Sequence, residues 1–289
     1  MNWVFPNLTP QTAILRLNEI CTAYRKYGVV ILPGLYSKEP AFKCYVENIR
    51  YLFDILLSRY NIQSKEKDLG NLLMELQQIA PLDGKIITDL GTQHNKLVAA
   101  NRLKYSDFIV SFLRQIFGES AILATPQSGD TLHFFLPGKK FKKYNLPIHQ
   151  DYPYLMQSRQ QVTLHFGLSM FYNDVGGIYY WPQTNRLGIL RSEKKKNGSY
   201  RVADPSLIMK RYNKHKLFLE RGDVSLFDSL LCHQSIPNRT KNRARINQIM
   251  RFSNLHDELA EKNNWYSSVY ERRGILFEET HKDLFVHKE

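Results

Sequence analysis

His149 and Asp151 stand two residues apart, and His233 lies far along the chain at the end of a strand-like run. Two imidazoles and one carboxylate can occupy one triangular face of an octahedral metal ion and leave the opposite face open, a donor set suited to non-haem iron. Such a trio constrains the fold, because its members are distant in sequence and must meet in space. On a strand, His149 and Asp151 would point the same way. His233 would then come from a neighbouring strand, and a β-barrel is a fold that brings distant segments together. A His-X-Asp pattern is common by chance, so its surroundings must carry the argument.

Those surroundings change character along the chain. In the first 120 residues apolar side chains recur at steps of three and four, as in Phe42, Val46, Ile49, Leu52, Phe53, Leu56 and Leu57. That spacing predicts a helix over 41–60 with one buried stripe, and similar patterns predict helices over 71–79 and 105–117. A short amphipathic run precedes them up to Tyr24, and 29–32 reads as an early strand ending at Pro33-Gly34. From Ile122 onward the pattern is strands and turns. Over 162–171 the alternation is clear: Val162, Leu164, Phe166, Leu168 and Met170 share one face, and Thr163, His165, Gly167 and Ser169 share the other. The second, more polar face suits the lining of a ligand cavity; a half-exposed sheet is the alternative. The expected class is α+β in a single domain. Residues 1–120 form mainly helical support with the early strand, 121–255 the barrel core and 256–289 a C-terminal extension.

Charge and cysteines narrow the partners and the setting. The formal net charge is +13, which favours an anionic substrate. Lys139-Lys140-Phe141-Lys142-Lys143 lies just before His149 and could steer a phosphate or carboxylate; Lys194-Lys195-Lys196 precedes a turn and reads as a solvated loop. A basic barrel binding nucleic acid without catalysis is a second reading. It is disfavoured because the lysines are not interleaved with aromatics in a recognised module. No apolar run has the length of a membrane span. Three cysteines (Cys21, Cys44 and Cys232) without framework spacing suit a reducing cytoplasm.

The ordered landmarks resemble the phytanoyl-CoA dioxygenase family. They are the early strand 27–35, His149-Gln150-Asp151, Gly176-Gly177, Gly222-Asp223 and His233-Gln234-Ser235. The resemblance covers residues 24–255 and implies a double-stranded β-helix, or jelly-roll barrel, with the N-terminal helices packed on one sheet. It implies Fe(II) held by His149, Asp151 and His233, with 2-oxoglutarate and dioxygen as co-substrates. It places an arginine for the far carboxylate of 2-oxoglutarate on the strand after the distal histidine. Arg245 matches best, with Arg243 and Arg239 as other candidates. Ser235 matches a helper for that carboxylate, although it also reads as a turn serine. His165 falls where the family has an aromatic co-substrate contact, and Thr131 and His133 lie on a strand that often contributes another. The implied reaction converts 2-oxoglutarate to succinate and carbon dioxide while hydroxylating an unactivated C–H bond. The substrate would be a small or carrier-linked, anionic metabolite. The carboxylate Asp151 favours hydroxylation over halogenation, because related halogenases lack it, and leaves desaturation and ring chemistry open.

Overall fold

Helices form where the three- and four-residue apolar steps run uninterrupted. In a computed structural model, residues 1–79, 90–91, 93–119, 122–124, 130–138, 145–170, 174–196, 198–262, 264 and 277–286 are described. Helix α1 (Pro10–Leu15) is capped by Thr9, whose hydroxyl accepts from the Thr12 N–H while Thr12 reaches back. Helix α2 (Leu17–Tyr27) stops at Gly28, which has φ 73° and whose absent Cβ would lie 2.6 Å from the Asn185 side chain. A left-handed turn against a neighbour needs glycine. Strand β1 (Val29–Leu32) follows directly. Helix α3 (Pro40–Ser58) buries Phe42, Tyr45, Val46, Ile49, Phe53 and Leu57, close to the expected stripe. Helix α4 spans Leu69–Ile79. A helix not anticipated from the sequence, α5 (Val98–Lys104), precedes the one expected over 105–117, which is α6 (Asp107–Phe117). Ser106 between them is extended, with ψ 152°, and interrupts the helical path.

The strands form two main antiparallel sheets. The larger has the order β1, β9 (Val224–Asp228), β4 (Gln161–Gly167), β11 (Arg245–Asn254) and β2 (Ile122–Ala124), with β3 (Thr131–Phe135) also paired to β11. The smaller has the order β10 (His233–Asn238), β5 (Val175–Tyr180) and β8 (His215–Leu217). A hairpin of β6 (Ser192–Lys194) and β7 (Tyr200–Val202) stands apart. The helices cover one face of the large sheet, where Val162, Leu164, Phe166, Val224, Leu226, Ile246, Met250 and Phe252 join the helical core. Each fully buried side chain of this kind contributes about 1.5–3 kcal/mol. The opposite face looks toward the small sheet: Tyr180 packs on Phe227 at 5.3 Å, and Ile178 joins the same cluster.

Register decides what lines the space between the sheets. Arg251 pairs with Thr163, and Thr163 with Phe227. In the next row Thr131, Ile249, His165 and Ser225 lie side by side; beyond it His133, Asn247 and Gly167 do the same. The alternation read from 162–171 therefore holds over β4, but the strand is shorter than expected. It ends at Gly167, where an added Cβ would lie 1.9 Å from the Glu220 carbonyl oxygen. Leu168 remains buried, whereas Met170 leaves the apolar face and is exposed. Among the described residues no helix is long and apolar enough to cross a membrane.

Candidate metal centre

Main-chain pairing brings the two histidines together. His149 and His233 exchange reciprocal backbone hydrogen bonds, each N–H donating to the other's carbonyl at 3.0 Å. Their rings stand 4.1 Å apart between centroids. Asp151 reaches the same point by a route the sequence did not suggest. The segment 149–151 is not a regular strand: His149 makes one isolated bridge, and Asp151 is the N-cap of a single-turn helix, Tyr152–Leu155. Asp151 has φ −71° and ψ −25°, and its carboxylate makes no cap hydrogen bond. It points instead toward the histidines. Gln150 between them is tied to the neighbouring loops and fixes the segment. Its Nε2 donates to the carbonyls of Gly188 (2.8 Å) and Leu230 (2.7 Å), and its Oε1 accepts from the Leu190 N–H at 2.9 Å.

The hydrogen bonds define the ring tautomers. His149 Nδ1 lies 2.7 Å from the Pro147 carbonyl oxygen, and His233 Nδ1 lies 3.0 Å from that of Leu231. A carbonyl only accepts, so each Nδ1 carries the proton and each Nε2 presents a lone pair. Those Nε2 atoms lie 3.6 Å and 3.5 Å from Asp151 Oδ1. The three donor atoms all fall within 4.8 Å of one another. His149 Nε2 is buried without a hydrogen-bond partner. Burial, and then the neighbouring His233, push the His149 imidazolium toward losing its proton. Burial alone would raise the Asp151 carboxyl, but the Arg251 guanidinium leads the influences that oppose it, and the group lies well below the ordinary carboxylate range. Convergent lone pairs and an ionised carboxylate repel one another unless a cation lies between them. The residues therefore fit a divalent metal ion, with backbone carbonyls orienting both imidazoles.

A cavity of about 50 Å³ adjoins the trio, lined by His133, Leu146, His165, Ile178, Ser235, Ile249 and Arg251 beside the three donors. Of the co-substrate candidates, His133, His165 and Ser235 border it. Thr131 sits opposite Ile249 in register without being part of the wall. Burial lowers the His133 pKa to about 4 and lowers His165 strongly, so both are neutral. Ser235 Oγ accepts from the Leu146 N–H at 3.1 Å, which leaves its own proton to donate. Arg239 and Arg243 are exposed, whereas Arg245 is fully buried on the face of β11 that carries Ile249 and Arg251. Its guanidinium lies over the Phe218 ring at 5.2 Å. Arg245 does not border the cavity; it lies two rows beyond Ile249. The lysine run 139–143 lies outside the described residues. Lys194 is tied to Glu278 at 2.7 Å and lies over Tyr200.

Two side chains at the centre went unassigned in the sequence. Thr163 lies on the polar face of β4 and Arg251 on the face of β11 that carries Arg245, and neither is among the site residues expected from the sequence. Both touch Asp151 Oδ2, Thr163 Oγ1 at 3.1 Å and Arg251 Nε at 3.5 Å. The usable signal was their face on adjacent strands; the missing information was the β4–β11 register.

A mixed fold of helices and antiparallel sheets that gathers two imidazoles and a carboxylate defines a non-haem metal enzyme. The chain belongs to the phytanoyl-CoA dioxygenase family, which its residues 24–246 match. Fe(II), 2-oxoglutarate and dioxygen, the cofactors expected from the sequence, suit this donor set. No curated protein matches the sequence. Among solved structures, the chain is similar to the epimerase SnoN in complex with Fe3+, alpha ketoglutarate and nogalamycin RO. The two are 14% identical, with 84% of each chain covered and a TM-score of 0.55. It is similar to the alpha ketoglutarate dependent carbocyclase SnoK from nogalamycin biosynthesis (15% identity, 80% and 81% covered, TM-score 0.50). It also resembles EvdO2 from Micromonospora carbonacea var. aurantiaca (16% identity, 81% and 89% covered, TM-score 0.51). At these identities the likeness is one of fold.

Proposed function

We propose that this protein is an Fe(II)- and 2-oxoglutarate-dependent oxygenase built on a double-stranded β-helix. It hydroxylates an unactivated C–H bond of a small or carrier-linked, anionic metabolite. The observation that carries this reading is the set of three lone-pair atoms within 4.8 Å, with both imidazoles held in the metal-binding tautomer by backbone carbonyls. When bound, iron with 2-oxoglutarate and dioxygen supplies the oxidising power, and the keto acid leaves as succinate and carbon dioxide.

The chain's own residues supply position and exclusion of water. His149, Asp151 and His233 hold the metal. Arg245, the buried member of the three candidate arginines, takes the far carboxylate of 2-oxoglutarate through its planar fork. Ser235 donates to the same carboxylate. His165 and His133 present imidazole nitrogens to the co-substrate from the cavity wall, with Thr131 behind them. The net charge of +13 favours an anionic substrate.

Anaerobic addition of Fe(II) and 2-oxoglutarate should give the visible absorption band of an iron–keto-acid chelate. His149→Ala and His233→Ala should abolish it. A wild-type band in either variant would end this assignment. Screening metabolites for substrate-stimulated succinate release then finds the substrate. A product that gains one oxygen atom marks hydroxylation; an epimerised or cyclised product would replace that part of the reading.

A further inference from the structure

The two oxygens of Asp151 have different surroundings. Oδ1 faces the two imidazole Nε2 atoms at 3.6 Å and 3.5 Å. Oδ2 faces away from them, toward the large sheet, where the Thr163 hydroxyl donates to it at 3.1 Å and Arg251 Nε stands at 3.5 Å. Thr163 and Arg251 are direct cross-strand partners in the β4–β11 register. Thr163 is fully buried, and only 12% of the Arg251 side chain is exposed. The strand is braced from its other side, since the Arg251 backbone N–H donates to Asp130 Oδ1 at 3.3 Å and Asp130 pairs with the buried Lys104.

A carboxylate oxygen has two lone pairs. One on Oδ2 is engaged by the threonine, and the other is approached by the arginine. Rotation of Asp151 to offer both oxygens to one ion would break both contacts and leave a buried guanidinium facing the metal. We propose that Thr163 and Arg251 restrict Asp151 to a one-oxygen ligand, so that the metal keeps the third open position that a two-toothed keto acid and a further ligand need. The proposal rests on the metal-binding reading above. Neither residue reacts; both are positioning residues. Arg251 has a second consequence, because its positive charge near the site opposes metal binding while keeping the open position. The two residues should therefore respond differently to removal.

Cobalt(II) titrated anaerobically into the full-length protein is the probe, read by affinity and by the visible d–d spectrum. Thr163→Val should weaken cobalt about tenfold, the lower end for loss of an outer-sphere partner, and Thr163→Ser should restore it. Arg251→Met should bind cobalt at least as tightly as wild type. Its spectrum should already differ before any keto acid is added, because Oδ2 becomes a second ligand atom. 2-Oxoglutarate should then bind the cobalt-loaded Arg251→Met protein at least tenfold more weakly. An unchanged spectrum in Arg251→Met, or wild-type cobalt affinity in Thr163→Val, overturns the proposal. So does parallel weakening of cobalt in both variants with a common loss of thermal stability, the mark of a merely structural role. If a variant does not fold, Arg251→Gln and Thr163→Ala carry the same comparison. A wild-type protein that does not bind cobalt would instead refute the metal-binding reading itself.

Discussion

Replacing Arg245 with methionine separates a co-substrate anchor from a structural cation. Arg245 is fully buried, and burial pulls its guanidinium down from its ordinary value to about 10 even though Glu220 and Asp223 partly oppose the drop. The group stays charged at neutral pH as a buried cation. The drop corresponds to about 3 kcal/mol. A carboxylate docking on the fork would recover an energy of that order, equivalent to about two orders of magnitude in affinity. Arg245→Met keeps much of the volume and removes the charge. The 2-oxoglutarate dissociation constant of the metal-loaded protein should rise by about a hundredfold. Thermal stability without ligand should hold or increase, because exchanging a buried ion for an apolar side chain of similar size is often neutral or favourable. The assay pairs keto-acid titration with melting curves. A variant that melts much lower while binding 2-oxoglutarate normally would show that Arg245 is a structural cation. Loss of keto-acid binding in Arg243→Met instead would move the anchor two residues back.

Two further outcomes concern the scaffold. Burial raises the half-buried Asp228 carboxyl to about 6, against the opposing hydrogen bonds from the Leu230 N–H and Asn185. A carboxyl with a raised folded-state pKa adds stability that is complete below its unfolded value, 3.8, and is lost as pH rises through 6. Denaturant unfolding between pH 4 and 7 should show a loss of at most about 3 kcal/mol, which Asp228→Asn should flatten; an equal slope in the variant would refute this origin. Gly167→Ala would drive a Cβ into the Glu220 carbonyl, 1.9 Å away. It should cost about 1–3 kcal/mol or more and weaken 2-oxoglutarate binding by displacing the loop beside Arg245. Wild-type melting and binding would show that the loop yields freely.

The sequence was informative where one strand's pattern sufficed. The alternation of Val162, Leu164 and Phe166 against Thr163 and His165 placed the two faces of β4 correctly, because side-chain direction is a property of a single strand. The metal trio was also readable, although for a partly mistaken reason. His149 and Asp151 converge through a bridge and a helix start, not through strand alternation. Arg251 and Thr163 acquired a role only through pairing between strands nearly ninety positions apart, which no local pattern records.

The paired main chains of His149 and His233 carry a cost as well as a benefit. Their separation is set by peptide groups, so the pincer is assembled before any ion arrives. Sites of nitrogen and oxygen donors bind copper and zinc more tightly than ferrous iron. A rigid pincer therefore offers little protection against capture by the wrong ion, and its correct loading falls to the supply of iron around the protein.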